Sequence, residues 1–268
     1  MSNRSETLSA TALQRTKFEG DVQASISKRH PLHDRIEPGG KVRFDPKIER
    51  TANETTLHFF VTFGDPVDPN DHRTRRTKYL ASNNQHVLVW PRDLARAVGL
   101  ADHADARDVA TGMTAPDGEN RVGVTLDPPL TVPRVELGGG IDAVKKYLAP
   151  IPDMSDTEGR IPEKYRLRFP VDYNEVHGFD EDDDVGISVA DDGSKPVIVL
   201  TPNADEDENA LTRSLQCQTV QTETSAGNLS TADQFSVNIP KVLVDFALDG
   251  NRDVRLRPEE TRIIVEPA

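Results

Sequence analysis

Apolar residues fall into short runs that end at proline, and the runs recur along the chain. His86-Val87-Leu88-Val89-Trp90-Pro91 is one, and Tyr165-Arg166-Leu167-Arg168-Phe169-Pro170 is another. Eight residues after each proline stands a glycine, Gly99 or Gly178. Asp108-Val109 and Asp184-Val185 follow, and then β-branched runs over residues 122–126 and 197–200 that stop at Pro128 and Pro202. A third copy closes the chain. Phe235-Ser236-Val237-Asn238-Ile239-Pro240 alternates with period two, residues 241–248 form a short amphipathic piece, Asp249-Gly250 turns, Asp253-Val254 follows, and Ile263-Ile264-Val265 leads to Pro267. A degenerate fourth copy lies near the N-terminus, where residues 26–31, 32–36, 38–44 and 57–61 fill the same slots with barely one turn of helix. The opening prolines Pro31, Pro91, Pro170 and Pro240 are 60, 79 and 70 residues apart, which fits duplicated units with variable loops rather than a solenoid.

Each copy predicts a strand, a short helix and a β-hairpin. Proline removes a backbone donor and fixes φ, so it ends ladder pairing and suits the first turn of a helix. Glycine or Asp-Gly after that helix permits a left-handed C-cap. So small a unit exposes an apolar face that it cannot cover alone, and pairing between units is expected.

The wording at Trp90-Pro91-Arg92, and above all at Ile239-Pro240-Lys241 with Asp253-Val254 and the terminal Ile263-Ile264-Val265-Glu266-Pro267, resembles the SpoVT/AbrB swapped-hairpin family. In that family a strand ending in Ile-Pro-Lys leads into a short helix, a Gly-Asp-x-Val turn and a hairpin, and two copies intertwine into one small barrel. Phe169-Pro170-Val171 matches in kind. The Pro-Gly-Asp turn is kept only in part, as Pro38-Gly39-Gly40-Lys41-Val42, Asp183-Asp184-Val185 and Arg252-Asp253-Val254. The resemblance implies a mainly β fold with short helices, built as two swapped-hairpin pseudo-dimeric barrels in tandem. Its expected domains are a flexible tail over residues 1–20, a first barrel over 21–129, a linker with a short helix (141–148) over 130–163, and a second barrel over 164–268. The linker carries Gly138-Gly139-Gly140, Pro150, Pro152 and Pro162.

Composition adds bounds. In a chain of 268 residues the longest apolar run falls well short of the ~20 residues needed to cross a bilayer, and the first residues lack the apolar stretch of a secretory signal. A soluble cytoplasmic protein without membrane contact is expected. The single cysteine, Cys217, excludes an intrachain disulfide and a Cys-x-x-Cys zinc site. The net charge of −13 has the character of a salt-adapted, halophilic surface, so local basic clusters against it are the better sign of an anionic partner.

Two clusters stand out. Arg73, Arg75, Arg76 and Lys78 lead into the second copy, and Lys164, Arg166 and Arg168 alternate along the first strand of the third. Strand alternation puts those three on one face, with Tyr165, Leu167 and Phe169 on the other. The resembling family uses basic residues on and near this strand to meet DNA. That implies DNA contacts at both clusters and, from the matching positions after the prolines, at Arg92 and Lys241. The first copy has only Lys28 and Arg29 there. Residues 203–233 form a polar tract with acids at 205–208 and an added edge strand through 215–220.

Enzyme signatures are weak. His30 and His33 flank Pro31 without an evident third metal ligand, the acids at 180–184 lack calcium-loop glycines, and no Gly-x-Ser-x-Gly is present. The reading is a non-catalytic DNA-binding protein, a transcriptional regulator with double-stranded DNA as partner and no cofactor. It is either a monomer with internal pseudo-dimers or a homo-oligomer. A protein-binding scaffold, an antitoxin-like partner and a structural assembly subunit are the alternatives.

Overall fold

The computed structural model describes residues 7–15, 22–30, 32–64, 67–68, 71–105, 110–114, 120–137, 143–151, 163–204, 210–223 and 229–268. Pro31, Asp108-Val109, Gly138-Gly139-Gly140, Pro152, Pro162 and the acids at 205–208 lie outside the described residues. Strands take 52% of the chain and helices 12%, so the protein is mainly β. It divides into two compact units, Met1–Arg134 and Val135–Ala268.

Unit 1 contains β1 (Thr7–Arg15), β2 (Val22–Ser27), a 3-10 turn (His33–Arg35), β3 (Lys41–Arg50), β4 (Thr55–Phe63), β5 (Thr74–Arg76), β6 (Lys78–Leu80), β7 (Gln85–Val89), α1 (Arg92–Ala97), α2 (Leu100–Asp105), β8 (Ala110–Thr114), β9 (Arg121–Asp127) and β10 (Leu130–Thr131). Unit 2 contains β11 (Val144–Tyr147), β12 (Ala149–Pro150), β13 (Lys164–Arg168), α3 (Tyr173–His177), β14 (Asp184–Asp191), β15 (Pro196–Thr201), β16 (Thr212–Ser214), β17 (Gln216–Glu223), β18 (Leu229–Pro240), α4 (Lys241–Ala247), β19 (Asp253–Pro258) and β20 (Ile263–Pro267). The order of strand, short helical piece and hairpin therefore occurs four times, opening at β2, β7, β13 and β18. The glycines do what the spacing asks of them: Gly99 and Gly178 end their helices at φ 74° and 59°, where a side chain would be strained.

Within each unit the copies cross-pair in the same way. The opening strands pair antiparallel, β2 with β7 and β13 with β18. The hairpins pair through their second strands, β4 with β9 and β15 with β20. The stretch before each opening strand then ties the sheets together. It pairs first with the other copy's hairpin, then bends and pairs with its own opening strand. β5 lies on β3 and β6 on β7; β16 lies on β14 and β17 on β18; β11 lies on β19 and β12 on β13. β1 does both jobs as one bulged strand, pairing with β8 and β2. Three of these bends turn on a buried residue whose N–H is satisfied just before the hairpin: Thr77 to Gly40 O (2.8 Å), Leu148 to Arg252 O (2.8 Å) and Leu215 to Asp183 O (2.7 Å).

Unit 1 is thus one ten-stranded sheet whose edge strands, β5 and β6, are consecutive in the chain. Unit 2 is a six-stranded and a four-stranded sheet joined at both margins by the bends at Leu148 and Leu215. None of the sheets is closed as a barrel.

Several expectations change. Residues 7–15, expected within a flexible tail, form β1, because pairing with both β2 and β8 satisfies this polar stretch's backbone. The expected linker divides instead between the units at Arg134 and Val135. β10 pairs with β4, whereas Val135 and Leu137 pack against Ala190, Val197, Val199 and Ile264. The helix expected at 141–148 is replaced over Val144–Tyr147 by β11, since a short amphipathic segment suits either period and the open side of β19 offers a ladder. In the first copy β2 ends at Ser27, four residues before Pro31, and Lys28 and Arg29 stand in the intervening turn. The edge strand expected at 215–220 is β17.

The core of unit 1 gathers on Trp90, whose ring lies 4.9 Å from Phe44 and 6.1 Å from Phe59, all three buried. Phe169 holds the same place before Pro170 in unit 2, beside Phe179 at 5.0 Å, with Phe235 next to Phe179 at 5.8 Å. Val42, Val185 and Val254, the valines that open the hairpins, are fully buried. His86 and His177 are buried in their respective units. Burial holds His86 below the ordinary histidine value, assisted by the charge of His33, and burial alone does the same to His177.

Trp90→Ala should cost ~3–5 kcal/mol, whereas Trp90→Phe should cost much less, because the buried indole N–H has no hydrogen-bond partner among the described residues to lose; chemical denaturation of both variants measures the difference. Because the folded state favours neutral His86 and His177, their contribution is complete above the unfolded histidine value of 6.5 and is lost as pH falls through the lower folded values. Tm should therefore be lower at about pH 5.5 than at about pH 7.5, and His86→Phe with His177→Phe should shrink that difference.

Candidate nucleic-acid interface

β13 is basic because every second residue is Lys or Arg, and it lies in the sheet because the intervening residues are apolar. Tyr165 and Leu167 are buried, while Lys164 and Arg168 are exposed and Arg166 is half-buried. Register extends this face across neighbouring strands. Arg166 stands opposite Asn238 and Arg168 opposite Ser236 on β18; Ser236 in turn faces Gln216 on β17, and Gln234 faces Gln218. The resulting surface carries Lys164, Arg166, Arg168, Gln216, Gln218, Gln234, Ser236 and Asn238. Carboxylates are absent from it along residues 164–168, 216–220 and 230–240, since Asp233 points to the other face, where it accepts a hydrogen bond from Thr219 Oγ1 at 3.0 Å. In a chain with 45 acidic residues against 32 basic ones, an acid-free cationic and amide-rich face is a local reversal of sign.

The middle of this face holds unspent hydrogen-bonding capacity. Arg166 Nε and Asn238 Oδ1, on directly opposed residues, are buried without a partner among the described residues. Periodicity found the three cations. The amides carry no such signal, because only the β13–β18–β17 register places them on the cations' face.

The other expected contact residues are placed differently. Lys241 opens α4, and its Nζ is ion-paired with Asp245 one turn on, so its charge is compensated within the helix. Arg73 is tied down by three hydrogen bonds, from Nε to Asp71 Oδ1 (3.1 Å), from Nη2 to Asp71 Oδ2 (2.8 Å) and from Nη1 to Asp45 Oδ1 (3.1 Å). Asp45 also accepts from Arg43 Nε at 3.1 Å, which completes a balanced group of two arginines and two aspartates. Burial pushes the Asp71 carboxyl up, but the hydrogen bonds from Arg73 and the charges of Arg73 and Arg43 outweigh it and hold the group below the usual carboxylate value. Arg75 donates to the carbonyls of His72 (3.0 Å) and Thr74 (2.8 Å). Arg76 and Lys78 are exposed, but the chain bends at buried Thr77 between them, so they stand on strands paired to β3 and β7 respectively. Arg92 is exposed at the start of α1. The first cluster is therefore not one face. Arg73 belongs to an internal ion network, Arg75 and Arg76 lie on β5 before the bend, and Lys78 lies beyond it on β6.

The histidines considered for a metal are separately engaged. His30 Nδ1 accepts the Leu32 N–H at 3.2 Å, and His33 contacts Asp34 and Asn84 at 3.0 and 3.1 Å. Among the described residues no group of three or more His, Cys, Asp or Glu is arranged to hold a metal ion, and no helix is long and apolar enough to cross a membrane.

No family model, curated protein or solved structure matches this chain. The reading of its chemistry rests on its own residues.

The contrast between the two clusters is testable. Arg73→Ala should destabilise unit 1 by ~1–3 kcal/mol, because it strands Asp71 and half of Asp45 in a part-buried site, whereas Arg168→Ala should leave stability nearly unchanged; thermal or chemical denaturation distinguishes them.

Proposed function

We propose that this chain is a DNA-binding protein of the regulator type. On this reading four half-units of SpoVT/AbrB-like character are paired into two swapped-hairpin pseudo-dimeric modules, and the β13–β18–β17 face of unit 2 is the principal duplex contact. The observation that carries the reading is that acid-free face, with three cations and four amide side chains, on a protein of net charge −13. The architecture supports it: the opening strands pair with each other, the hairpins pair with each other, and each unit's sheets bend round until their margins adjoin.

The physics of such a contact is direct. Lys164 and Arg168 are four residues apart on a strand, or about 13 Å, close to the ~12 Å width of a B-DNA major groove, which admits a two-stranded ribbon. The end cations would neutralise phosphates and release counterions. Arg166 and the flanking amides are the residue types that read guanine and adenine edges. Unit 1 presents a weaker counterpart. Gln23 and Ser25 on β2 face the buried Val89 and Val87 on β7, and Lys78 lies opposite Val87, so this ribbon mixes polar and apolar residues and is nearly uncharged. Unit 2 is assigned the larger share of affinity.

The test is fluorescence anisotropy with duplex DNA across a salt series. The wild type should bind with an affinity that falls as salt rises, and a Lys164→Ser, Arg166→Ser, Arg168→Ser variant should bind more weakly with a salt slope reduced by up to about 3, roughly one per lost phosphate contact. Arg73→Ala should keep the wild-type slope. Absence of binding at every salt, or binding indifferent to the triple change, overturns the reading and favours a protein partner.

A further inference from the structure

Unit 1 contains a cavity of 670 Å³ between the 3-10 turn, the 37–40 turn, the start of β3, the end of β4 and the edge strand β5. We propose that it binds a small organic phosphate. This rests on the cavity alone and is independent of the DNA reading.

The volume lies within the ~300–1,000 Å³ of ordinary ligand pockets. The charge of the lining points to the ligand. Arg35, Lys41 and Arg76 all border the cavity, against Glu37 as the one acid among the described residues of its lining. Lys41 and Arg76 are directly opposite each other in the β3–β5 register, so two like charges share one face of an antiparallel pair. That arrangement is destabilising in itself. The chain holds 45 acids and has compensated the neighbouring cation on the same edge, Arg73, with Asp45 and Asp71. Lys41, Arg76 and Arg35 make no ion pair with a described residue. Arg73 is ion-paired at this edge, whereas the cations that open on the cavity have no carboxylate partner among the described residues. A doubly charged phosphate between Lys41 and Arg76, within reach of Arg35, turns the repulsion into charge-assisted hydrogen bonds. The remaining lining explains why the ligand is larger than the ion alone. Ile36, Phe63 and Val67, all nearly buried, give the cavity an apolar side against which a sugar or base can lie.

The opposed cations give the proposal a signature that an incidental basic patch lacks. Lys41→Thr should lose the ligand while leaving the free protein as stable as the wild type or more stable, because removing either like charge relieves the repulsion. Arg35→Ser, outside the sheet, should weaken binding with little change in free-protein Tm. The experiment is isothermal titration calorimetry on the full chain with inorganic phosphate, ribose 5-phosphate, adenosine monophosphate and a short DNA duplex, paired with Tm of each unliganded variant. Saturable binding of ribose 5-phosphate or adenosine monophosphate, tighter than inorganic phosphate and weakened about tenfold or more by Lys41→Thr and by Arg35→Ser, is expected. Four results overturn the proposal: no binding, binding indifferent to these changes, inorganic phosphate bound as tightly as the organic phosphates, or loss sensitive to Lys41 and Arg35 with duplex DNA alone. The last would make the cavity a backbone-phosphate contact. Failure of the DNA reading shows separately, in the Lys164, Arg166 and Arg168 variant.

Discussion

Everything in this protein depends on a covering problem that a single strand-helix-hairpin copy cannot solve. Each opening strand has one apolar face and each hairpin another, with one or two helices of five to seven residues or a single 3-10 turn between them, too little chain to shield either. Antiparallel pairing of β2 with β7 and of β13 with β18 brings two incomplete faces together, and the hairpins close over them through β4 with β9 and β15 with β20. Trp90 and Phe169 stand where these pairings meet. Each closes an opening strand just before the proline that turns the chain into the helix; Trp90 packs on Phe44 and Phe59 of the first hairpin, and Phe169 packs on Phe179 ahead of β14. The connecting strands then inherit a defined task, which is to run from one copy's hairpin to the other's ribbon and bend once on a buried Thr77, Leu148 or Leu215.

Much of this was legible in the residues, for identifiable reasons. Proline after an alternating run and glycine eight or ten residues later act on the backbone directly, so β7–α1, β13–α3 and β18–α4 could be read from local chemistry. The connecting strands could not. Val144–Tyr147 has no period strong enough to choose strand over helix, and β1, made largely of Thr, Ser, Ala and Leu, takes its order from its partners β2 and β8. The first copy misled in a different way. Its proline comes four residues after the strand has ended, so the punctuation is kept but displaced.

For the candidate site the lesson concerns charge. Arg73 and Arg166 look alike in sequence, each in a short basic cluster just before or within an opening strand. They differ in what the fold brings to them. Arg73 meets Asp45, 28 residues earlier, and Asp71, and becomes part of the scaffold. Arg166 meets the neutral Asn238, and its charge has no carboxylate partner among the described residues. Composition and spacing cannot tell these fates apart, because the deciding partner is distant in the chain and fixed only by register.

Register also gives a physical reason for two copies to share one chain. In a homodimer made of two β13-type strands, the β13–β18 alignment would place Arg166 of one copy against the residue corresponding to Asn238, which is Arg168 of the other. The same clash would recur at the symmetric position. Like charges directly opposed on one face of an antiparallel ribbon weaken it. A single chain escapes this symmetry. β13 carries the cations and β18 answers them with Asn238 and Ser236, small neutral groups that let the guanidinium groups lie across the ribbon without repulsion. The same freedom explains why unit 2 has a charged ribbon and unit 1 a nearly neutral one. Once paired copies no longer have to be identical, charge can be concentrated on one strand of one unit while the apolar positions that hold all four copies together stay as they are.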